Sequence, residues 1–246
     1  MPQQPKKKVA LSVVVPMYNE TARIRPCLER ICAYCGKKGL AYELLVVDDG
    51  SVDESPALVE AFAKANPNVR LVPNGANRGK GYSVRHGMRE ARGDAVLFTD
   101  VDLSAPMEGL DAFLPLLKDF DVVIGSRDLV GSRIRVRQPL VRRVLRKGFR
   151  WLYSLLLFSD IQDTQCGFKL FSAEAARRIF SRQTVDGFCF DVEILFLAKR
   201  LGLRVKEAPV EWSDSVDSRV NLWKVPPQMF RDLLRIKLND WRGRYR

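Results

Sequence analysis

The chain has 246 residues, of which 46% are hydrophobic, enough to bury one large α/β core or two small ones. No apolar run reaches the ~18 residues of a membrane span, so no transmembrane helix is predicted. The net charge of +12 keeps nucleic acid, an anionic membrane and phosphorylated substrates in consideration as partners.

The first half of the chain alternates predicted strands and helices. Strands are predicted over 9–15, 42–47, 69–72, 95–99 and 121–124, and helices over 21–35, 53–65 and 80–91. Continuous Val, Leu and Ile strands separated by helices are typical of a mostly parallel sheet covered on both faces. No repeat or long linker interrupts the pattern. The sequence therefore predicts a disordered basic lead (1–8), a single α/β domain (9–240) and a tail (241–246).

The second half begins with a strongly basic segment. Nine Lys or Arg residues and one acid lie between Arg127 and Arg150. A helix predicted over 140–158 carries Leu140, Val144, Trp151 and Leu155 in one stripe and five cations on another face. This pattern is typical of a helix that lies in a membrane interface. The alternative is a helix packed on the core with a solvated basic face. Further helices are predicted over 173–180, 191–201 and 227–240.

Two carboxylates follow the apolar strand over 95–98. Asp100 and Asp102 are two residues apart, so in an extended chain they point to the same side. They lie beyond the carboxyl end of the strand, where open α/β sheets bind ligands. Two hard oxygen ligands suit Mg²⁺ or Mn²⁺, and such ions usually arrive with substrate phosphates.

Other strand ends also carry polar groups. The carboxylate of Asp49 is suited to a nucleobase N–H or a ribose hydroxyl, and Gly50 after it lets backbone approach a ligand closely. The segment 77–81 presents Lys80 between glycines at a helix start, a favourable position for phosphate. It lacks the glycine spacing and the Ser or Thr of a P-loop, and the third glycine of a dinucleotide fingerprint, which disfavours a dehydrogenase.

These segments combine into a recognisable pattern. In order they are VVVPMYNE (13–20), VVDDGS (46–51), NRGKG (77–81), DVD (100–102), GSR (125–127), DTQCGFK (163–169) and FDVE (190–193). The set resembles the family 2 glycosyltransferases, which have the GT-A fold. Within them it is most similar to the enzymes that glucosylate dolichyl phosphate, with the mannosylating enzymes as near relatives.

The resemblance implies a role for each matched position. Residues 9–127 would bind the nucleotide sugar and 128–240 the acceptor. The implied donor-site residues are Pro16, Tyr18, Glu20, Asp49, Lys80, Asp100, Gly167 and Arg219. The implied metal ligands are Asp100 and Asp102, and the implied catalytic residues are Asp102 and Asp191. The implied acceptor-phosphate residues are Arg127, Arg133, Arg142 and Arg143.

The implied reaction is inverting transfer of glucose from UDP-glucose to a polyprenyl phosphate, with Mg²⁺ or Mn²⁺. GDP-mannose is the alternative donor. The acceptor phosphate is already ionised at pH 7, so Asp191 would orient the acceptor or stabilise positive charge at the sugar, unless it only caps a helix. The enzyme is expected on the cytoplasmic face of a membrane, as a peripheral protein.

Two functions of other classes remain open. A nucleic-acid-binding protein fits the net charge, but the aromatic residues of the basic helix lie at its apolar end and three acidic strand ends would repel phosphate, so no nucleic acid is expected. A catalytically inactive membrane adaptor of the same fold is the other alternative, and the intact Asp100, Asp102 and Asp191 disfavour it.

Overall fold

A computed structural model describes residues 8–136, 140–213 and 225–246. The strands are β1 (Leu11–Met17), β2 (Tyr42–Asp48), β3 (Val69–Pro73), β4 (Ala95–Thr99), β5 (Val122–Ser126), β6 (Arg133–Val136), β7 (Phe168–Ser172), β8 (Val205–Pro209) and β9 (Glu211–Ser213). The helices are α1 (Ile24–Lys37), α2 (Ser55–Ala65), α3 (Lys80–Glu90), α4 (Leu110–Phe113), α5 (Leu140–Leu156), α6 (Ala173–Phe180), α7 (Phe190–Arg200) and α8 (Val225–Trp241).

Seven strands form one sheet in the order β3-β2-β1-β4-β7-β5-β8. All neighbouring pairs are parallel except those of β7, which runs antiparallel to both β4 and β5. The short strands β6 and β9 pair separately and in parallel. The predicted α/β class with a mostly parallel sheet is confirmed. The parallel strands β1, β2 and β4 end at one edge, which gathers the polar residues that follow them.

The sheet separates two hydrophobic cores. Successive side chains of a strand point to opposite faces, so Val13 and Val15 enter one core while Val14 enters the other. Helices α1 and α2 cover the first core, and α3, α6 and α7 cover the second. Burial on both faces explains why these strands read as unbroken apolar runs.

The predicted elements of the first half agree with the observed ones within a few residues. Helix α1 begins at Ile24 rather than at residue 21, because Thr21 donates its hydroxyl to Asp53 at 2.6 Å before the helix starts. The sequence did not predict β7, which is short and carries Lys169 between apolar residues. It also missed β6, β8 and β9.

Helix α5 has two apolar faces. Its inner side packs Phe149, Leu152 and Tyr153 against the core. Its outer stripe, which the sequence predicted, is exposed, with Trp151 at 64% and Leu155 at 70% of their full accessible areas. The helix therefore packs on the core and also exposes its apolar stripe, and its binding to a membrane interface stays a prediction.

Helix α8 contacts α5 and repeats this arrangement. Leu233 and Ile236 are buried, whereas a second stripe remains exposed: Phe230, Leu234, Leu238 and Trp241. The segment after α8 is also packed, since Tyr245 is buried and donates to Glu193 at 2.6 Å. Among the described residues, no helix combines the length and the apolar character needed to cross a bilayer.

Candidate active site

The paired carboxylates at the end of β4 lie in different environments. Asp100 Oδ1 forms an ion pair with Lys80 Nζ at 2.7 Å, and both side chains are about one-quarter exposed. The other oxygen of Asp100 lies against Gly167, where an added Cβ would come within 1.9 Å of Oδ2. Gly167 is therefore required for Asp100 to keep this position.

Asp102 is held by a local turn. Its Oδ1 accepts a hydrogen bond from the backbone N–H of Ser104 at 2.9 Å. Leu103 between them has a φ of 46°, in the left-handed region that side-chain-bearing residues rarely adopt. Strained backbone of this kind concentrates at functional sites, because the surrounding fold must hold it. Here the strain fixes the direction of the Asp102 carboxylate.

Beneath these groups lies a buried ion pair. Lys169 on β7 donates to Asp191 Oδ1 at 2.5 Å and to the backbone oxygen of Cys166 at 2.6 Å. The ammonium groups of Lys80 and Lys169 lie 5.5 and 5.6 Å from the ring centroid of Phe98. Both lysines interact electrostatically with Asp191, so this edge of the sheet gathers cations and carboxylates in one cluster.

The charged groups in this cluster shift one another's pKa values. Burial would lower the pKa of Lys80, but Asp100 and Asp191 outweigh it and raise that pKa above its ordinary value. Burial raises the pKa of Asp191, and Lys169 and Lys80 limit the rise. Lys80 therefore stays charged, and it can neutralise anionic oxygens that approach this edge.

Asp49 organises the loop before α3. Its Oδ1 accepts from Asn74 Nδ2 and from the Arg78 N–H, and its Oδ2 accepts from the Gly79 N–H, all at 2.9 Å. Asp49 is buried. Through these hydrogen bonds, its carboxylate fixes the conformation of the backbone that immediately precedes Lys80. Gly79 has a φ of 103° and leaves no room for a Cβ beside Asp186, so this turn requires glycine.

The end of β1 is tied to the end of β2. Asn19 donates its backbone N–H to Ser51 Oγ at 2.9 Å, and its Oδ1 accepts from the Val52 N–H at 2.9 Å. Glu20 forms a bidentate ion pair with Arg23: its two carboxylate oxygens accept from Arg23 Nε and NH2 at 2.7 and 2.8 Å. Tyr18 is exposed at this edge, just after Pro16 in β1. The implied donor-site residues of this segment line one side of the edge.

Arg127 faces inward. Its guanidinium donates to both carboxylate oxygens of Asp163, at 2.6 and 2.8 Å, and stacks on the ring of Trp212 at 4.7 Å. Burial would raise the pKa of Asp163, but Arg127 outweighs it and lowers that pKa to about 2. This buried pair connects β5 to the 163–169 segment and leaves the Arg127 side chain already occupied.

Two other implied acceptor residues are exposed, whereas the side chain of Arg127 is buried. Arg133 on β6 and Arg143 on α5 are exposed. The side chain of Arg142 and all of Arg219 lie outside the described residues. The structure therefore brings together Lys80, Asp100, Asp102, Gly167 and Asp191, and places Arg133 and Arg143 on the outer surface.

Sequence reasoning missed two members of the site. Lys169 lies within the 163–169 motif, from which no role for it follows, although a lysine inside an apolar strand indicates a buried partner. The motif likewise indicates no role for Asp163, whose ion pair with Arg127 joins residues 36 positions apart. Only the sheet order, with β7 inserted between β4 and β5, brings these groups to the edge.

Comparison with known proteins identifies the family. Residues 12–180 match the family model described as Glycosyl transferase family 2. The chain is similar to a dolichyl-phosphate beta-glucosyltransferase of Dictyostelium discoideum, at 34% identity over 96% of this chain and 76% of the relative. It is also similar to the human protein of that name, at 33% identity over 96% and 77%.

Solved structures show the same architecture. A glucosyl-3-phosphoglycerate synthase from Mycobacterium tuberculosis superposes with a TM-score of 0.70 at 21% identity, over 96% of this chain and 78% of that one. A mannosyltransferase from Pyrobaculum calidifontis gives 0.59 at 23%, over 94% and 65%. The fold is that of the GT-A glycosyltransferases, as the motifs predicted. With its β4 carboxylates, its glycine-dependent site and its family match, this chain belongs to the family 2 glycosyltransferases.

Proposed function

We propose that this enzyme transfers glucose from UDP-glucose to a polyprenyl phosphate of the dolichyl type, at a membrane surface and with inversion at the sugar. One observation carries the proposal: Lys80, Asp100, Asp102 and Asp191 converge at the edge of β4, in a chain whose relatives are named dolichyl-phosphate beta-glucosyltransferases. A charged edge of this kind suits a diphosphate on one side and an electrophilic sugar carbon on the other.

The donor would occupy the edge formed by β1, β2 and β4. Pro16, Tyr18 and Glu20 would line the base and ribose, against the loop that Asp49 holds in shape. Gly167 would form the floor under the sugar, and Lys80 would meet the diphosphate. Arg219, outside the described residues, would close over it. Because Asp49 has both oxygens engaged, its proposed role is to shape the nucleotide pocket.

The residues present fit a divalent cation. The described residues contain no group of three or more side chains able to ligate a metal on their own. Two carboxylates supplemented by substrate phosphates and water are, however, the usual setting for Mg²⁺ or Mn²⁺. Asp102 would be the principal ligand and Asp100, shared with Lys80, the second. Bound there, the ion would neutralise charge on the departing nucleotide diphosphate.

Asp191 would act on the acceptor side. A phosphate monoester has its second pKa at about 6 and is ionised at pH 7, so the attacking oxygen needs no general base. The carboxylate of Asp191, held by Lys169, would instead orient the acceptor or stabilise positive charge that develops at the sugar. Direct attack by the phosphate oxygen opposite the leaving diphosphate inverts the configuration at the anomeric carbon.

The exposed stripes of α5 and α8 support a membrane location. Both helices present apolar residues with a tryptophan, Trp151 or Trp241, beside surface cations. Such surfaces bind the boundary between headgroups and acyl chains. We place this surface on the cytoplasmic face, where nucleotide sugars are supplied and anionic lipids attract cations such as Arg133 and Arg143.

The test is transfer of radiolabelled sugar from UDP-glucose, GDP-mannose and UDP-N-acetylglucosamine to dolichyl and undecaprenyl phosphate. Each reaction is run with Mg²⁺, with Mn²⁺ and with chelator. The expected result is a chelator-sensitive glucolipid formed from UDP-glucose. If a mannolipid forms from GDP-mannose and no product forms from UDP-glucose, the donor is GDP-mannose. Release of free nucleotide without any lipid product would contradict a polyprenyl-phosphate acceptor. No turnover with any donor would contradict the assignment of glycosyltransferase activity.

A further inference from the structure

A cavity lies beneath α5, between its basic side and the segment 162–165. It has a volume of about 230 Å³, and its lining combines the rings of Phe149 and Tyr153 with charged and polar side chains, among them Arg146, Lys147, Arg150, Asp128, Asp163 and Gln165. Pockets for drug-sized ligands begin at about 300 Å³, so this one is sized for a smaller group. None of the three cations belongs to the set that the sequence motifs implied.

Several donors in this cavity have no hydrogen-bond partner among the described residues. The NH2 group of Arg146 donates to Asp128 at 2.9 Å. Its Nε and NH1 atoms are shielded from solvent and make no hydrogen bond to the described residues, and the nearest carboxylate oxygen, Asp163 Oδ2, is 3.7 Å from NH1. Gln165 Nε2 is likewise buried and unpaired. Shielded donors are costly unless an acceptor reaches them, so they indicate a ligand rich in oxygen.

The charge of the cavity defines that ligand further. Asp163 is already neutralised by Arg127. Among the described lining residues, the three cations therefore face one remaining carboxylate, Asp128, which leaves a surplus of two positive charges. A phosphate monoester carries about −1.5 to −2 at pH 7 and offers three acceptor oxygens. Its charge and its number of acceptors match this cavity.

The position of the cavity connects the two parts of the proposed reaction. Gln165 is two residues from Gly167, which lies against Asp100. Two residues of extended chain span about 7 Å, so Gln165 in the cavity wall lies within that distance of Gly167 at the carboxylate edge. On its other side, α5 exposes the apolar stripe that includes Trp151 and Leu155. A phosphate with a long apolar tail could place its head in the cavity and its tail along that stripe.

We propose that this cavity binds the phosphate of the lipid acceptor, with Arg146, Lys147 and Arg150 as its ligands. The inference rests on the proposed function and assigns it new residues. It leaves the exposed Arg133 and Arg143 to contact the anionic surface around the acceptor.

The experiment measures binding without any sugar nucleotide. Neutral phosphatidylcholine vesicles carry either dolichyl phosphate or phosphatidylserine at equal surface charge, and a third arm uses inorganic phosphate in solution. The variants are Arg146→Gln, Arg150→Gln and Arg146→Lys, which keeps the charge but loses the two buried donors. Lys64→Gln, which removes an exposed cation of α2, is the matched control.

Each glutamine variant should weaken binding to dolichyl phosphate vesicles about tenfold, the effect of one charge-assisted hydrogen bond. Binding to phosphatidylserine vesicles should change much less, which also shows that the variants are folded. Arg146→Lys should fall between wild type and Arg146→Gln, and Lys64→Gln should match wild type. In transfer assays, the KM for the lipid should rise while the KM for UDP-glucose stays constant.

Equal losses on both kinds of vesicle would overturn the inference, because the cations would then sense only surface charge. Inorganic phosphate binding as tightly as the lipid, with the same sensitivity to the variants, would also overturn it, in favour of a free phosphate. If wild-type enzyme transfers sugar and Arg146→Gln leaves the acceptor KM unchanged, this inference fails and the proposed function stands. If wild type binds the lipid with this pattern but transfers nothing, only the proposed function fails.

Discussion

The carboxylate edge of β4 and the outer side of α5 are built in opposite ways. At the edge, almost every charge has a partner: Lys80 holds Asp100, and Lys169 holds Asp191. Along α5, Trp151 and its neighbours face solvent, and Arg146 keeps two shielded donors unpaired. A preorganised edge suits chemistry, since its dipoles need not rearrange during reaction. A surface with exposed apolar side chains and cationic donors that lack a hydrogen-bond partner among the described residues is suited to bind a lipid.

The largest effect should come from the edge. Asp102→Asn keeps the shape of the side chain but removes its charge, and should lower transfer more than about 10³-fold, since metal-assisted charge neutralisation supplies several kcal/mol. Asp111→Asn, at an exposed carboxylate of α4, is the control and should retain activity. Transfer rates and thermal melting are measured together. Wild-type turnover in Asp102→Asn would remove this residue from the metal site.

The membrane-facing surface beside α5 is tested by removing two charges together. Replacing the exposed Arg133 and Arg143 with glutamine should weaken binding to anionic vesicles about 30-fold, since each cation near such a surface contributes about 1 kcal/mol. Co-sedimentation across a lipid titration gives the partition constant. The same two substitutions should leave binding of UDP-glucose unaltered. Vesicle binding that persists unchanged would mean that α5 does not face the membrane.

Arg127→Met tests whether the buried pair belongs to the scaffold. It removes the guanidinium that pairs with Asp163 and leaves this carboxylate with two backbone N–H donors and with Arg146 at 3.7 Å. Breaking a buried pair costs about 3–5 kcal/mol. Urea unfolding measures the loss.

The pH dependence of wild-type stability follows from the same pair. The pKa of Asp163 is lowered to about 2 in the folded state, so its stabilisation is complete above the ordinary value of 3.8 and disappears as the pH falls through 2. Arg127→Met should lack this transition. A variant as stable as wild type, with a large rise in the acceptor KM, would instead return Arg127 to the acceptor site.

Two glycines give a matched pair of substitutions. Gly167→Ala would place a Cβ 1.9 Å from Asp100 Oδ2 and displace that carboxylate, which should cost about 10²-fold in kcat. Gly36→Ala in α1 meets nothing within 4 Å and should stabilise the protein by about 0.5–1 kcal/mol without changing kcat. Steady-state kinetics and urea unfolding of both variants make the comparison. Equal kcat values for the two would show that Asp100 tolerates movement.

The smallest expected effect is a shift in pH dependence. Burial raises the pKa of Asp191, and Lys169 opposes that rise. Lys169→Met should therefore raise the pKa further, so that activity requiring the carboxylate is lost at a higher pH as the solution is acidified. Lys169→Arg should restore much of the wild-type profile. The measurement is kcat as a function of pH, and the midpoint of its acidic limb is compared between wild type and the variants. A midpoint that does not move in Lys169→Met would show that Asp191 does not act as a carboxylate.

The sequence by itself determined the alternation of strands and helices, the carboxylate strand ends and the apolar stripe of α5. Local pattern carries these features: a strand buried on both faces is apolar throughout, and side chains two residues apart in a strand share a side. The ordered motifs also identified the family. Asp100, Asp102 and Lys80 were predicted as site residues in this way, because the carboxylates follow a recognisable strand end and Lys80 lies at a helix start.

Only the tertiary structure decided which charges meet. The pairing of Lys169 with Asp191, and of Arg127 with Asp163, depends on β7 entering the sheet antiparallel between β4 and β5. The cavity beneath α5 depends on the segment after α5 folding back under that helix. These contacts join residues distant along the chain, and such pairings leave no periodic signal in the sequence because they are selected by the packing of the whole sheet.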